Sequence, residues 1–116
     1  MEIIKSTLES KKDIVKASNT VNTVKELKDK NITLVGAVIF NRQETDQETG
    51  EVETKTACVL KAKDNTFYSS ISQTVIKSLE TILATFEPAE ISEGIDIKIC
   101  SSKSNKGREF FFIDLV

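Results

Sequence analysis

The chain of 116 residues contains no histidine. Histidine is the side chain that most often carries acid–base catalysis near neutral pH, and without it such catalysis needs a glutamate or lysine with a strongly shifted pKa. The sequence also lacks a Gly-x-x-x-x-Gly-Lys-Ser/Thr phosphate loop and a Gly-x-Ser-x-Gly nucleophile elbow. These absences favour a binding protein that is not an enzyme and has no cofactor.

Cysteine is scarce, with only Cys58 and Cys100, both inside predicted strands. Neither has a second cysteine or a histidine at ligand spacing, which excludes an ordinary zinc site. We interpret both residues as buried free thiols and predict no metal site.

Long apolar runs are missing as well. No segment approaches the roughly 18 apolar residues of a membrane span. Residues 1–5 lack the apolar region of a signal peptide. The 29% of charged residues are nearly balanced, at a net charge of −2, which argues against disorder and leaves no global basic field. We therefore expect a cytoplasmic protein that makes no membrane contact.

What is present is a succession of β-type segments. The pattern predicts strands at residues 31–41, 54–63, 66–71, 94–101 and 108–116, with one amphipathic helix at 72–86 that begins at Ser72. The order β-β-β-α-β-β is that of the OB-fold, a five-stranded barrel that binds oligonucleotides or oligosaccharides on the face of its second and third strands. We predict a mainly β protein with one or two helices, in which residues 31–116 form an OB-fold-like barrel.

Residues 1–30 are predicted as an N-terminal helical extension. Weak helical spacing runs from Leu8 to Ala17, and a second short helix or irregular segment follows near Val24. In the first barrel strand, Gly36 predicts a bulge or tight bend, and a flat strand with a packing glycine is the alternative.

Strand alternation assigns faces to the last strand. Phe111, Ile113 and Leu115 are expected in the core, and Phe110 and Phe112 on the opposite face. There the N-terminal segment, a partner or a ligand would cover the two rings.

Cations and aromatic residues recur on the same strands and in the last hairpin. Sequence-tolerant binding of single strands requires both, because cations contact the backbone and aromatic faces stack on bases. The candidate stacking residues are Phe40, Phe67, Tyr68 and Phe110. The candidate phosphate contacts are Arg42, Lys55, Lys61, Lys63, Lys103, Lys106 and Arg108. A solvated, lysine-rich sheet face is the alternative interpretation.

Four segments carry a family resemblance. They are Gly36-Ala37-Val38-Ile39-Phe40-Asn41-Arg42, Asp46-x-Glu48-Thr49-Gly50-Glu51-Val52, Phe67-Tyr68-Ser69 and Lys106-Gly107-Arg108-Glu109-Phe110. Together they resemble the small single-stranded DNA-binding proteins of phages and plasmids of Gram-positive bacteria, over residues 32–116. The resemblance implies an OB-fold and non-sequence-specific binding of single-stranded DNA in replication or recombination, in the host cytoplasm.

The loop at residues 43–53 supports a different hypothesis. Five acids (Glu44, Asp46, Glu48, Glu51 and Glu53) would form a negative knob that repels phosphate. A small phage-encoded module that inhibits a host enzyme would use loop 44–53 as its contact. The sequence leaves open whether the protein forms a homo-oligomer or contacts replication proteins.

Overall fold

Residues 2–116, the part of the chain that the computed structural model describes, form six strands and three α-helices. The strands are β1 (Glu2–Ser6), β2 (Asn31–Thr45), β3 (Val52–Ala62), β4 (Phe67–Ser70), β5 (Ile95–Lys103) and β6 (Glu109–Leu115). The helices are α1 (Lys11–Ser18), α2 (Gln73–Thr85) and α3 (Pro88–Glu93), and Val24–Leu27 form a 3₁₀ turn. All five predicted strands are confirmed to within a few residues at their ends.

The strands form one antiparallel sheet in the order β4-β3-β2-β5-β6, with β1 beside β2. The long strand β2 bridges the two halves, because Asn31–Leu34 pair with β5 and later residues pair with β3. Closure would require β4 and β6, the two ends of this path, to pair, and no such pairing occurs within residues 2–116. The mainly β class is confirmed, and the open sheet is consistent with an OB-like fold but is not the predicted closed barrel.

Gly36 lies at a break in the β2–β3 register, so the predicted bulge is confirmed. A Cβ atom at Gly36 would lie 2.7 Å from Cδ2 of Leu8. Glycine at this position therefore lets the N-terminal segment approach the backbone of β2.

The main core lies between the sheet and α2. Helix α2 begins after Ser72, as predicted, and buries Val75, Ile76, Leu79, Ile82 and Leu83. These side chains pack with residues of the sheet that include Leu34, Ile39, Cys58, Leu60, Ile97, Ile99, Phe111 and Ile113. The inward orientation of Phe111 and Ile113 is confirmed. That of Leu115 is wrong, because this last residue of β6 reaches the rim of the core and is 50% exposed.

A second, smaller core lies on the opposite face of the sheet. Val38 and Phe40 of β2, Ala57 and Val59 of β3, and Phe67 of β4 pack there under Ala17 of α1, with Leu8 alongside. The N-terminal segment therefore covers the outer face of three strands. The purely helical prediction for residues 1–30 is wrong at Glu2–Ser6, which form β1 and pair with β2.

Residues 20–30 run from β4, at one end of the sheet, to β5, the strand next to the other end. The Thr20 hydroxyl donates to the Phe67 carbonyl, and the Ser69 amide donates to the Asn22 carbonyl, so the segment begins against β4. It ends against β5, where the Asp29 amide donates to the Ile99 carbonyl and the Ile99 amide donates to the Lys30 carbonyl. The seam between β4 and β6 is thus crossed by this segment.

Pro88 follows the end of α2 and starts the next helix. It is the first residue of α3, where a missing N–H costs nothing. The buried Ile91 then fixes α3 to the main core.

Candidate nucleic-acid interface

The predicted stacking residues of β2 and β4 do not offer a free ring. Phe40 and Phe67 are only 7% and 6% exposed, because both lie in the second core under α1. This corrects the expectation that their faces are open. Tyr68 is partly buried and packs against the main core, on the opposite side of β4 from Phe67.

Lys61 is held by the N-terminal segment. Its Nζ lies 2.8 Å from Oδ2 of Asp13, and both side chains are only 19% exposed. Asp13 is in the first turn of α1, so this pair ties the helix to β3. Lys61 was expected to contact phosphate, but its charge is already neutralised by Asp13 in this arrangement.

Arg42 and Lys55 face each other across the β2–β3 hairpin and share one acid. Oε1 of Glu44 lies 2.8 Å from Nη2 of Arg42, and Oε2 lies 3.0 Å from Nζ of Lys55. The hydrogen bond with Lys55 lowers the pKa of Glu44 and raises the pKa of Lys55. The two cations are exposed but partly screened from a polyanion by Glu44.

The predicted acidic knob is smaller than the sequence suggests. Glu44 is part of the ion-pair cluster just described. Asp46 shapes the turn, since its Oδ1 accepts hydrogen bonds from the amides of Glu48 and Thr49. Two of the five acids therefore have structural partners inside the hairpin.

The β5–β6 turn carries three exposed cations of the predicted set. Lys103 ends β5, and Lys106 and Arg108 follow in the turn, all exposed. The Ser104 amide donates to the Arg108 carbonyl and the Gly107 amide donates to the Ser104 carbonyl, which closes the turn. Gly107 has a φ of 77°, which favours glycine. Lys63 is also exposed, but it lies in the β3–β4 turn.

Phe110 and Phe112 form an aromatic pair on the outer face of β6, opposite the main core. Their ring centroids are 6.1 Å apart, the planes are tilted by 39°, and both residues are partly exposed. They lie opposite Ser102 and Cys100 of β5, and Lys98 follows on the same face. This hairpin therefore carries two partly exposed rings on β6 and exposed cations at its turn.

A groove lies next to this hairpin, at the seam between β4 and β6. Its volume is about 690 Å³, and it is lined by residues 23–25, 69–72 and 109–111. We call it the seam groove. Phe110 belongs both to the aromatic pair and to the wall of the seam groove.

Accessible rings beside clustered cations on a small sheet define a surface of the kind that binds single-stranded nucleic acid. A family model described as phage single-stranded DNA-binding protein, of the Phi29 type, matches residues 2–116. The chain belongs to this family, so the resemblance predicted from the sequence is confirmed. The family binds DNA and is not enzymatic.

Two further comparisons found nothing. No curated protein and no solved structure matches the chain. Among the helices of residues 2–116, none is long and apolar enough to cross a membrane.

The sequence interpretation did not include several cations among the candidate DNA contacts. Seven of the 16 lysines and arginines lie within residues 1–30, which were set aside as an extension. Lys25 lines the seam groove, and Lys28 forms a 2.7 Å ion pair with Glu109 at the start of β6. The signal available in the sequence was this local excess of lysine.

Proposed function

We propose that the protein binds single-stranded DNA without base specificity during phage DNA replication or recombination, in the cytoplasm of the host. The observation that carries the proposal is the Phe110–Phe112 pair beside Lys103, Lys106 and Arg108. Stacking tolerates every base, because each base has a π-face, and lysines contact a backbone that is the same at every position.

The β2–β3 hairpin is a second candidate contact. In OB-folds the loop between the first two strands and the loop between the last two flank the ligand. Arg42 on β2 and Lys55 on β3 would then contact the DNA strand at one end of its path. Lys106 and Arg108 would contact it at the other end. Lys63 in the β3–β4 turn remains a predicted contact.

The test is fluorescence anisotropy of a labelled oligo-dT, compared with a duplex and with a mixed-sequence strand of equal length. We expect tighter binding to both single strands than to the duplex, with similar affinities for the two sequences. Affinity should fall as salt rises, with a log–log slope of about −0.7 per phosphate neutralised. Absence of oligo-dT binding at low salt would refute the proposal.

A matched pair of variants locates the contact. Lys106→Gln should weaken binding and reduce the steepness of the salt dependence by about 0.7. Lys77→Gln, on the exposed side of α2, is the control and should leave both unchanged. Equal effects at the two positions would mean that binding does not use the β5–β6 turn.

The hypothesis of an enzyme inhibitor acting through loop 44–53 has less support, because the family is a DNA-binding one and Glu44 is engaged by Arg42 and Lys55. Homo-oligomer formation, contacts with replication proteins and a role on plasmids stay predictions.

A further inference from the structure

The face that OB-folds use for nucleic acids is covered in this protein. That face belongs to the second and third barrel strands, which correspond here to β3 and β4. Its apolar side chains, including Val59 and Phe67, lie under Leu8 and Ala17, and the partly buried pair of Lys61 with Asp13 closes the cover. A DNA strand therefore has no access to this face while α1 is in place.

The seam groove is a concave surface that lies elsewhere on the protein and remains open. Its volume of about 690 Å³ is within the usual range of about 300–1,000 Å³ for small-ligand sites. One wall is apolar, with partly exposed Phe110 and with Ile71, which is 59% exposed. A large aliphatic side chain and a ring that remain open to solvent beside each other form a suitable surface for a base.

Hydroxyl groups line the other parts of the seam groove. The Ser69 hydroxyl donates to the Asn22 carbonyl and can still accept, whereas the Ser70 hydroxyl accepts from the Ser72 amide and can still donate. Together they offer both a donor and an acceptor to the polar atoms of a nucleotide.

The charge of the seam groove also suits a nucleotide. Glu109, its one acid, is paired with Lys28 at 2.7 Å, and the hydrogen bond between them raises the pKa of Lys28. Lys25 supplies a further exposed cation at the wall. An anionic phosphate therefore meets the exposed Lys25 and an acid whose charge is already balanced by Lys28.

From this geometry we propose that the seam groove holds one nucleotide of the bound strand, with its base against Phe110 and Ile71 and its phosphate towards Lys25. The DNA strand then runs from the Phe110–Phe112 pair across the seam between β4 and β6. It does not run over the outer face of β3 and β4. This inference rests on the proposed function, and it assigns the DNA path to the place where the sheet remains open.

The first experiment compares two apolar-to-acid variants by oligo-dT anisotropy. Ile71→Asp places a negative charge in the seam groove and should weaken binding about tenfold, as loss of one base contact would. Val15→Asp is the matched control, since Val15 is 57% exposed on α1 and does not line the seam groove. The control should bind within about twofold of the unmodified protein.

The second experiment needs no acidic substitution. Lys25→Gln should weaken binding more than Lys77→Gln, and both lysines are exposed, so folding should be unaffected. In parallel, oligo-dT that contains 5-iodouracil is photocrosslinked to the unmodified protein, and the attached residue is found by mass spectrometry. We expect crosslinks at Phe110 or within residues 69–72.

The outcomes separate this inference from the proposed function. If the unmodified protein fails to bind oligo-dT, the proposed function fails first. Suppose instead that it binds and Lys106→Gln weakens binding, but Ile71→Asp binds as Val15→Asp does and the crosslinks fall on Tyr68 or Phe67. The protein then binds DNA, but the seam groove is not part of its DNA site. Crosslinks at Phe67 would also show that α1 moves away from the sheet on binding.

Discussion

Phe111 and Phe112 are neighbours of identical chemistry on β6, and they should respond to truncation in opposite ways. Phe111 is 8% exposed and packs in the main core, whereas Phe112 is partly exposed on the outer face beside Phe110. Because they share a strand and a residue type, each is the control for the other.

The magnitudes follow from this difference in burial. Phe111→Ala should lower the free energy of unfolding by about 3–5 kcal/mol, the usual loss for a buried phenyl group. At about 4 °C per kcal/mol for a domain of this size, the melting temperature should fall by roughly 10–20 °C. Phe112→Ala loses a tilted ring pair worth about 0.5–1.5 kcal/mol and little else, so the fall should be a few degrees.

Binding should show the reverse order. If Phe112 stacks on a base, its removal costs about 1–3 kcal/mol of binding free energy, which is roughly a 5- to 150-fold loss of affinity for oligo-dT. Phe111→Ala, measured well below its melting temperature, should lose less affinity than Phe112→Ala, because the Phe111 side chain packs in the main core and only part of the residue lines the seam groove. Thermal melting and anisotropy on the same samples give both quantities. A large stability loss at Phe112 with unchanged binding would refute the assignment of the two faces.

Three further outcomes are expected. Glu44→Gln releases Arg42 and Lys55 and should tighten oligo-dT binding, whereas Glu48→Gln at the hairpin tip should change it less; anisotropy at low salt compares the two. Cys100 is only partly buried, so the sequence interpretation of two buried thiols is correct for Cys58 alone, and a thiol reagent should label Cys100 in the native protein faster than Cys58, which should react on unfolding. Burial raises the pKa of Cys58 from 9.0 to about 12, so the thiol of the unfolded chain ionises at a lower pH than that of the folded chain. The free energy of unfolding should therefore fall as pH rises through that window. Melting curves should show that the melting temperature falls less steeply with pH for Cys58→Ala.

The strands of residues 31–116 could be predicted because their patterns are local. Alternation placed Phe111 and Ile113 inside, and the spacing from Val75 to Leu83 gave the apolar stripe of α2. The same signal was too weak for β1, whose five residues Glu-Ile-Ile-Lys-Ser show no clear alternation and depend on pairing with β2.

The sequence contains a signal for the segment that covers the outer face, but the sequence interpretation did not use it. Residues 57–60 of β3 are apolar without interruption, which is the mark of a strand buried on both sides. A second layer had to lie over that face, and α1 was the available amphipathic segment. The pairing of Lys61 with Asp13, 48 residues apart, depends on tertiary contact and has no local signature. The exposure expected for Phe40 and Phe67 was therefore incorrect for a reason that the alternation pattern alone could not reveal.

The seam groove draws its walls from three distant parts of the chain, at residues 23–25, 69–72 and 109–111. During synthesis from the N-terminus, the first two parts emerge long before the third. A nascent chain that has not yet reached β6 lacks one wall and also lacks Glu109, the partner of Lys28. The long sequence separation makes this closing step slow relative to formation of α2 or of the β2–β3 hairpin. The nucleotide site that we propose in the seam groove is thus completed last, only after β6 has joined the sheet.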